Sequence, residues 1–131
     1  MPASLFRALT TTALALGAGL ALAQPKFATE FPEGAQALPA AALSERVSGK
    51  VYGAKLAAGP TWRVDFKGNG FVFLDVSTGA RDSGKWRAED GRVCFEFRGP
   101  FGTSCAAMRA TADSLYLKRE SNGEVLLLTP Q

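Results

Sequence analysis

The chain offers few side chains of the types that do covalent or acid–base chemistry, and none of its 131 residues is a histidine. Serine–histidine and cysteine–histidine nucleophiles, histidine-ligated zinc and imidazole proton shuttles are therefore excluded as they are usually built. What remains is one pair of cysteines, Cys94 and Cys105, and a scatter of carboxylates of which Asp65, Asp75, Asp82 and Glu96 are the candidates by type. Two carboxylates can hydrolyse a glycoside without histidine. Here Asp65 and Glu96 stand beside basic residues in the pattern of solvated ion pairs. Asp75 and Asp82 flank Ser77-Thr78-Gly79, where short acidic side chains bond to turn backbone. The stretch Arg81-Asp82-Ser83-Gly84-Lys85 lacks the spacing and the strand-to-helix setting of a phosphate loop. Ten residues separate the cysteines, against two in a C-x-x-C redox motif, so the pair reads as structural. No catalytic residue, metal or cofactor is expected, and the chain does not read as an enzyme.

The elements around the cysteines are legible. Asp90-Gly91 is a favoured pair for a two-residue type I′ hairpin loop. Closing it there sets Glu89 opposite Arg92, Trp86 opposite Phe95, and Lys85 opposite Glu96, with the apolar residues on one face and the charge pairs on the other. A second turn around Gly99-Pro100 sets Cys94 opposite Cys105, and directly opposed strand residues lie within the reach of a disulfide. Side-chain parity places this bridge on the charged outer face, while Val93, Phe95, Phe97, Ala106 and Met108 face the core. Such a staple contributes roughly 3 kcal/mol on the loop-entropy estimate.

Before these hairpins, a single Arg7, an apolar run from Leu9 to Ala23 and the small-residue site Ala21-Leu22-Ala23 predict a secretory signal peptide cleaved after Ala23. The apolar run is too short and too rich in glycine and threonine for a membrane span. The mature form is expected to have no integral membrane segment and to be periplasmic or secreted, where two cysteines pair. Taking 23 residues from 131 leaves 108, one domain. It also leaves 14 basic against 12 acidic residues, a net charge of +2. With no block of like charge, no nucleic-acid partner is expected.

Gln24 to Leu38 reads as an extended or disordered lead-in. Pro39 starts a short helix whose apolar face, Leu43 and Val47, is placed to close one end of a barrel. From Gly49 onward, short alternating runs are punctuated by glycine, asparagine or aspartate, the pattern of an antiparallel sandwich or barrel. Trp62, Val64 and Phe66 alternate with Arg63, Asp65 and Lys67, and Gly68-Asn69-Gly70 reverses the chain with Gly70 left-handed. Phe71 to Val76 is apolar on both faces, which calls for a cover, either the lead-in or a partner over Val72 and Leu74. Thr111 to Ser114 forms a four-residue loop, and Asn122-Gly123 a further type I′ hairpin. The result is an all-β fold, an eight-stranded antiparallel up-and-down barrel preceded by one short α-helix and occupying residues 39–131. Closure buries the phenylalanine-rich face and removes two sheet edges. The candidate lining is Trp62, Val64, Phe66, Trp86, Phe95, Phe97, Met108, Leu115 and Leu117, continued by Leu126 and Leu128. These residues form a filled core or the wall of a site for one small apolar ligand.

Gly84-Lys85-Trp86, Asp90-Gly91 and the hairpin carrying Cys94 and Cys105 resemble a group of small bacterial periplasmic proteins of unknown function. That resemblance implies a lipocalin-like or avidin-like meander barrel. In lipocalins the G-x-W lies at the first strand and here it lies near the fourth, so no ligand residue is carried over. The chain is also similar in size and pattern to secreted bacterial inhibitors of metalloproteases, barrels with one disulfide and an N-terminal inhibitory arm. On that resemblance the arm is Gln24 to Pro32. The expected function is thus a non-enzymatic exported module that binds an apolar ligand or a protein partner. The alternatives are a protease inhibitor and a purely structural envelope protein.

Overall fold

The computed structural model describes Leu14, Gly17, Gly19 and residues 26–131. Apart from those three positions, the signal peptide expected over Met1–Ala23 lies outside the described residues, as do Gln24 and Pro25. The helix α1 spans Ala40–Val47 and is followed by β1 (Lys50–Lys55), β2 (Thr61–Phe66), β3 (Phe71–Val76) and β4 (Arg81–Glu89). The chain continues through β5 (Arg92–Phe97), β6 (Thr103–Ala110), β7 (Leu115–Lys118) and β8 (Val125–Pro130). Each strand pairs antiparallel with its sequence neighbour, and β8 returns to β1 to close the barrel. The closing seam is the shortest ladder, with only Tyr52↔Pro130 and Gly53↔Thr129 in register.

The expected registers hold where they matter most. Trp86 faces Phe95, Lys85 faces Glu96, and Cys94 faces Cys105. Met108 faces Leu117 and Ala110 faces Leu115 across the Thr111–Ser114 loop. Gly70 is left-handed at φ 89°, with Lys67 N–H donating to the Phe71 carbonyl at 2.8 Å around a three-residue loop.

Two hairpins differ from the expected type I′ loops. A type I′ turn needs positive φ at both central residues, yet among the described residues only glycines have it. Gly91 (φ 72°) is left-handed and Asp90 is not, the sign pattern of a type II turn. Two other elements hold this turn in place. Gly91 N–H donates to the Leu38 carbonyl at 2.9 Å, and the Asp90 carboxylate accepts the Ala40 N–H at 2.9 Å, capping α1 from another hairpin. At Asn122-Gly123 the loop is longer, because Arg119 N–H bonds to the Glu124 carbonyl and Lys118 faces Val125. This shifts the expected register by two residues, so every side chain keeps its face.

The helix closes one end of the barrel, as its apolar face suggested. Leu43 and Val47 are fully buried, and the Arg46 guanidinium donates to the carbonyls of Thr111 and Ser114 at 3.0 and 3.2 Å, tying α1 to the β6–β7 loop. Tyr52 donates its hydroxyl to the Arg46 carbonyl. Above this floor lies a core of Phe66, Val72, Val93, Met108, Leu115 and Leu126, all 2% exposed or less. Trp86 packs edge-on against Phe66 at 5.6 Å and donates its indole N–H to the Lys67 carbonyl at 2.9 Å.

The structure also explains the glycine of the G-x-W. A Cβ on Gly84 would stand 1.9 Å from the Glu96 carbonyl oxygen and 2.7 Å from the Phe97 Cα. The close approach of β4 to β5 therefore admits no side chain there.

Two further expectations are corrected. Val72 and Leu74 point inward, buried beside Phe66 and Val64, so neither can receive a partner on the outside. The outward aromatic residues of β3 are Phe71 and Phe73, at 38% and 44% exposure, and the lead-in does not cover them. The lead-in crosses the opposite wall instead. The Ala28 carbonyl accepts the Val125 N–H, Phe31 lies under the Arg109 guanidinium, and Gln36 forms a bridge with Ala110 beyond the end of β5. Unpaired backbone at a sheet margin must find partners, and the lead-in supplies them for β8 and β6. The second correction concerns Cys94, which has outward parity but is only 1% exposed, flanked by Arg87 on one side and its disulfide partner Cys105 on the other.

Candidate functional site

The barrel end opposite α1 is open. Around its rim stand the β1–β2, β3–β4, β5–β6 and β7–β8 connections, and inside lies a cavity of about 490 Å³. Six of the nine expected lining residues border it, namely Trp62, Val64, Phe66, Phe95, Phe97 and Leu117, joined by Leu128. Trp86, Met108 and Leu115 do not, because they pack toward the closed end, and Leu126, buried opposite Leu117, does not border it either.

The barrel is therefore filled below and hollow above, for a reason in its sequence. The inward residues of β6 nearest the mouth are Ser104 and Ala106, which face the inward Phe95 and Val93 across the strand pair. Small side chains opposite large ones leave room that the longer inward residues Met108 and Leu115 fill lower down. One side of the space is an aromatic wall. Phe95 and Phe97 lie parallel within 8° with centroids 5.5 Å apart, Phe66 lies 5.9 Å from Phe95, and Phe101 meets Phe97 edge-on at 6.1 Å at the rim.

Two polar clusters shape the mouth. Asp82 has inward parity beyond the last β4–β5 pair, and its carboxylate accepts N–H bonds from Ser83 at 2.8 Å, Gly99 at 2.9 Å and Phe101 at 3.0 Å. It therefore anchors the Arg98–Gly102 lip rather than the Ser77–Gly79 turn. Partial desolvation works against the charged form of Asp82, but the three backbone donors outweigh it and hold the carboxyl below its ordinary range. The second cluster is Arg119, Glu124 and Trp62. Glu124, 3% exposed, accepts the Ala57 N–H at 2.9 Å and lies 3.3 Å from Arg119 Nη1, while the Arg119 guanidinium sits 5.0 Å above the Trp62 ring.

Sequence reasoning missed Leu74, Pro100, Phe101, Thr103, Ser104, Arg119, Glu120 and Ser121 among the residues around this space, while Ala106 was expected on the inward face. The signal for Arg119 was present, since Leu115, Leu117 and residue 119 share one parity along β7. The other carboxylate candidates face outward. Asp75 pairs with Arg81 at 3.0 Å and Arg63 at 3.9 Å, Asp65 with Lys67 at 2.8 Å, and Glu96 diagonally with Arg87 at 3.6 Å rather than with Lys85. Among the described residues no three acidic, cysteine or histidine side chains are grouped to hold a metal ion. No helix of the described residues is long and apolar enough to cross a membrane. The part of the expected inhibitory arm from Ala28 to Pro32 lies on the barrel, through Ala28 at Val125 and Phe31 at Arg109.

Protein-family models, curated proteins and solved structures were compared with the chain, and none of the three comparisons returned a match.

Proposed function

We propose that this protein is a non-enzymatic binding module, exported to an oxidising compartment, that holds one small, largely apolar molecule in the open half of its barrel. One observation carries the reading. A cavity of about 490 Å³, walled by Trp62, Val64, Phe66, Phe95, Phe97 and Leu117, opens at one barrel end while a helix closes the other. Pockets of about 300–1,000 Å³ with apolar walls and a few polar groups at the rim are the usual form of a small-ligand site. An eight-stranded barrel is the smallest common closed sheet that can hold one ligand in its interior. The disulfide on β5 and β6 braces the wall bearing Phe95 and Ser104, and the Asp82 anchor fixes the lip bearing Phe101. Rigid walls lower the entropy cost of binding.

The test is native mass spectrometry of the protein recovered from the cells that export it, followed by solvent extraction. A reproducible bound mass of one small molecule per chain, lost in a Ser104→Trp variant that fills the cavity, is the expected result. A protein without bound mass that also takes up no neutral hydrophobic probe such as N-phenyl-1-naphthylamine would refute the reading.

A further inference from the structure

Among the described residues the cavity rim carries one cation, and its setting says more about the ligand than the apolar walls do. Among the described residues that border the cavity, Arg119 is the only basic one. Glu124 holds it, and Glu124 is itself committed, with one oxygen on the Ala57 N–H of the β1–β2 connection and the other toward Arg119 Nη1 at 3.3 Å. The Trp62 ring covers one face of the guanidinium at 5.0 Å. An arginine presents five N–H donors in a rigid plane, and this carboxylate accepts from one of them. The side chain remains 22% exposed, at the rim of the space bounded by Phe97, Phe101 and Ser121. A charged fork is thus fixed on two sides before any ligand arrives, with donors to spare at the opening of an aromatic-walled hollow.

We propose that the ligand is an amphipathic acid: a ring-bearing apolar body lying along the Phe95–Phe97 wall, with one anionic head group received by Arg119 at the rim. This rests on the reading of the cavity as a ligand site. Two acidic side chains, Glu124 and the exposed Glu120, stand near Arg119 and offset its long-range field. Selection therefore comes from directed hydrogen bonds at contact distance rather than from long-range attraction. The neutral and anionic forms of one ligand skeleton should differ through Arg119 alone.

A matched probe pair isolates that contribution. N-Phenyl-1-naphthylamine and 1-anilinonaphthalene-8-sulfonate share a skeleton and differ by the sulfonate, and both report binding by fluorescence. Each is titrated into the folded, oxidised protein and into three variants. Arg119→Gln removes the fork. Arg119→Gln with Glu124→Gln removes it without leaving a buried carboxylate unpaired, and keeps an acceptor for Ala57. Ser104→Trp fills the cavity. A hydrogen-bonded charged contact is worth about 10- to 100-fold in affinity. Both arginine variants should therefore bind the sulfonate at least about tenfold more weakly while holding the neutral amine within about twofold, and Ser104→Trp should abolish both. Equal loss of both probes in the arginine variants, or an unchanged sulfonate affinity, overturns the head-group proposal and leaves the cavity reading standing. If neither probe binds, or if Ser104→Trp leaves their binding intact, the cavity reading falls and the proposal with it.

Discussion

Breaking the Cys94–Cys105 bond should cost the barrel about 3 kcal/mol, and the cost divides into parts that can be measured separately. The cysteines are 11 positions apart, so the bond closes a short loop in the unfolded chain. Loop-closure entropy for such a loop comes to about 2.8 kcal/mol at 25 °C. Reduction with dithiothreitol removes only this constraint. Replacing both cysteines by alanine also deletes sulfur atoms, and since Cys94 is 1% exposed, the lost packing adds about 1 kcal/mol. Serine at 94 should be worse than alanine, because it buries a hydroxyl where the cysteine buried an apolar sulfur. Urea unfolding followed by tryptophan fluorescence reads these values from the midpoint, with the oxidised, reduced, double-alanine and double-serine forms expected in that order of stability. The thermal midpoint should fall by about 10 to 20 °C on reduction. If reduction leaves the urea midpoint unchanged, or double serine proves more stable than double alanine, the assigned burial and opposed register of the pair are wrong.

The Gly84→Ala variant should fail to fold or lose more than about 3 kcal/mol, since its Cβ would meet backbone on β5, and circular dichroism with urea titration checks this. Trp86→Ala should cost about 3 kcal/mol, near the low end for a tryptophan because the ring is only half-buried, and should leave naphthylamine binding within about twofold, since Trp86 does not border the cavity. Burial raises the pKa of Tyr52, and the nearby Arg46 opposes this only partly. The folded protein thus holds that proton longer than the unfolded chain. The resulting stability is complete below the ordinary tyrosine pKa of about 10 and is lost as pH rises through the folded value. Urea midpoints measured from pH 8 to 11 should decline more steeply for the wild type than for Tyr52→Phe.

The architecture was readable because its signals are local. Alternation in Trp62-Arg63-Val64-Asp65-Phe66, the glycine of Gly68-Asn69-Gly70 and the opposed cysteines each fix a register through nearest neighbours, and registers in a meander add up to the barrel. The turn types were not readable at Asp90-Gly91, because the backbone there answers to Leu38 and Ala40, some 50 residues away in sequence. The lead-in, one of two alternative covers expected over β3, crosses another wall for the same reason. Ala28 and Gln36 meet backbone groups of Val125 and Ala110 left unpaired at strand ends, and Phe31 meets the Arg109 guanidinium, contacts that alternation along the strands does not reveal. As for the site, parity identified the inward residues but not their depth, so Met108 and Leu115 were grouped with Phe97 although they belong to the filled end and Phe97 to the mouth. The division between filled and hollow halves depends on Ser104 and Ala106, residues whose significance lies in what they leave empty.

A ligand held as proposed occupies the open half of this barrel and no other part of it. Methyl-resolved NMR during titration with N-phenyl-1-naphthylamine tests it most directly. Val64, Leu74, Leu117 and Leu128 border the cavity, Leu43, Val47 and Leu115 form the floor, and Leu127 faces solvent on the outer wall. Saturable shifts confined to the first group are the predicted result, whereas shifts at Leu127 with none at Val64 or Leu117 would contradict the account.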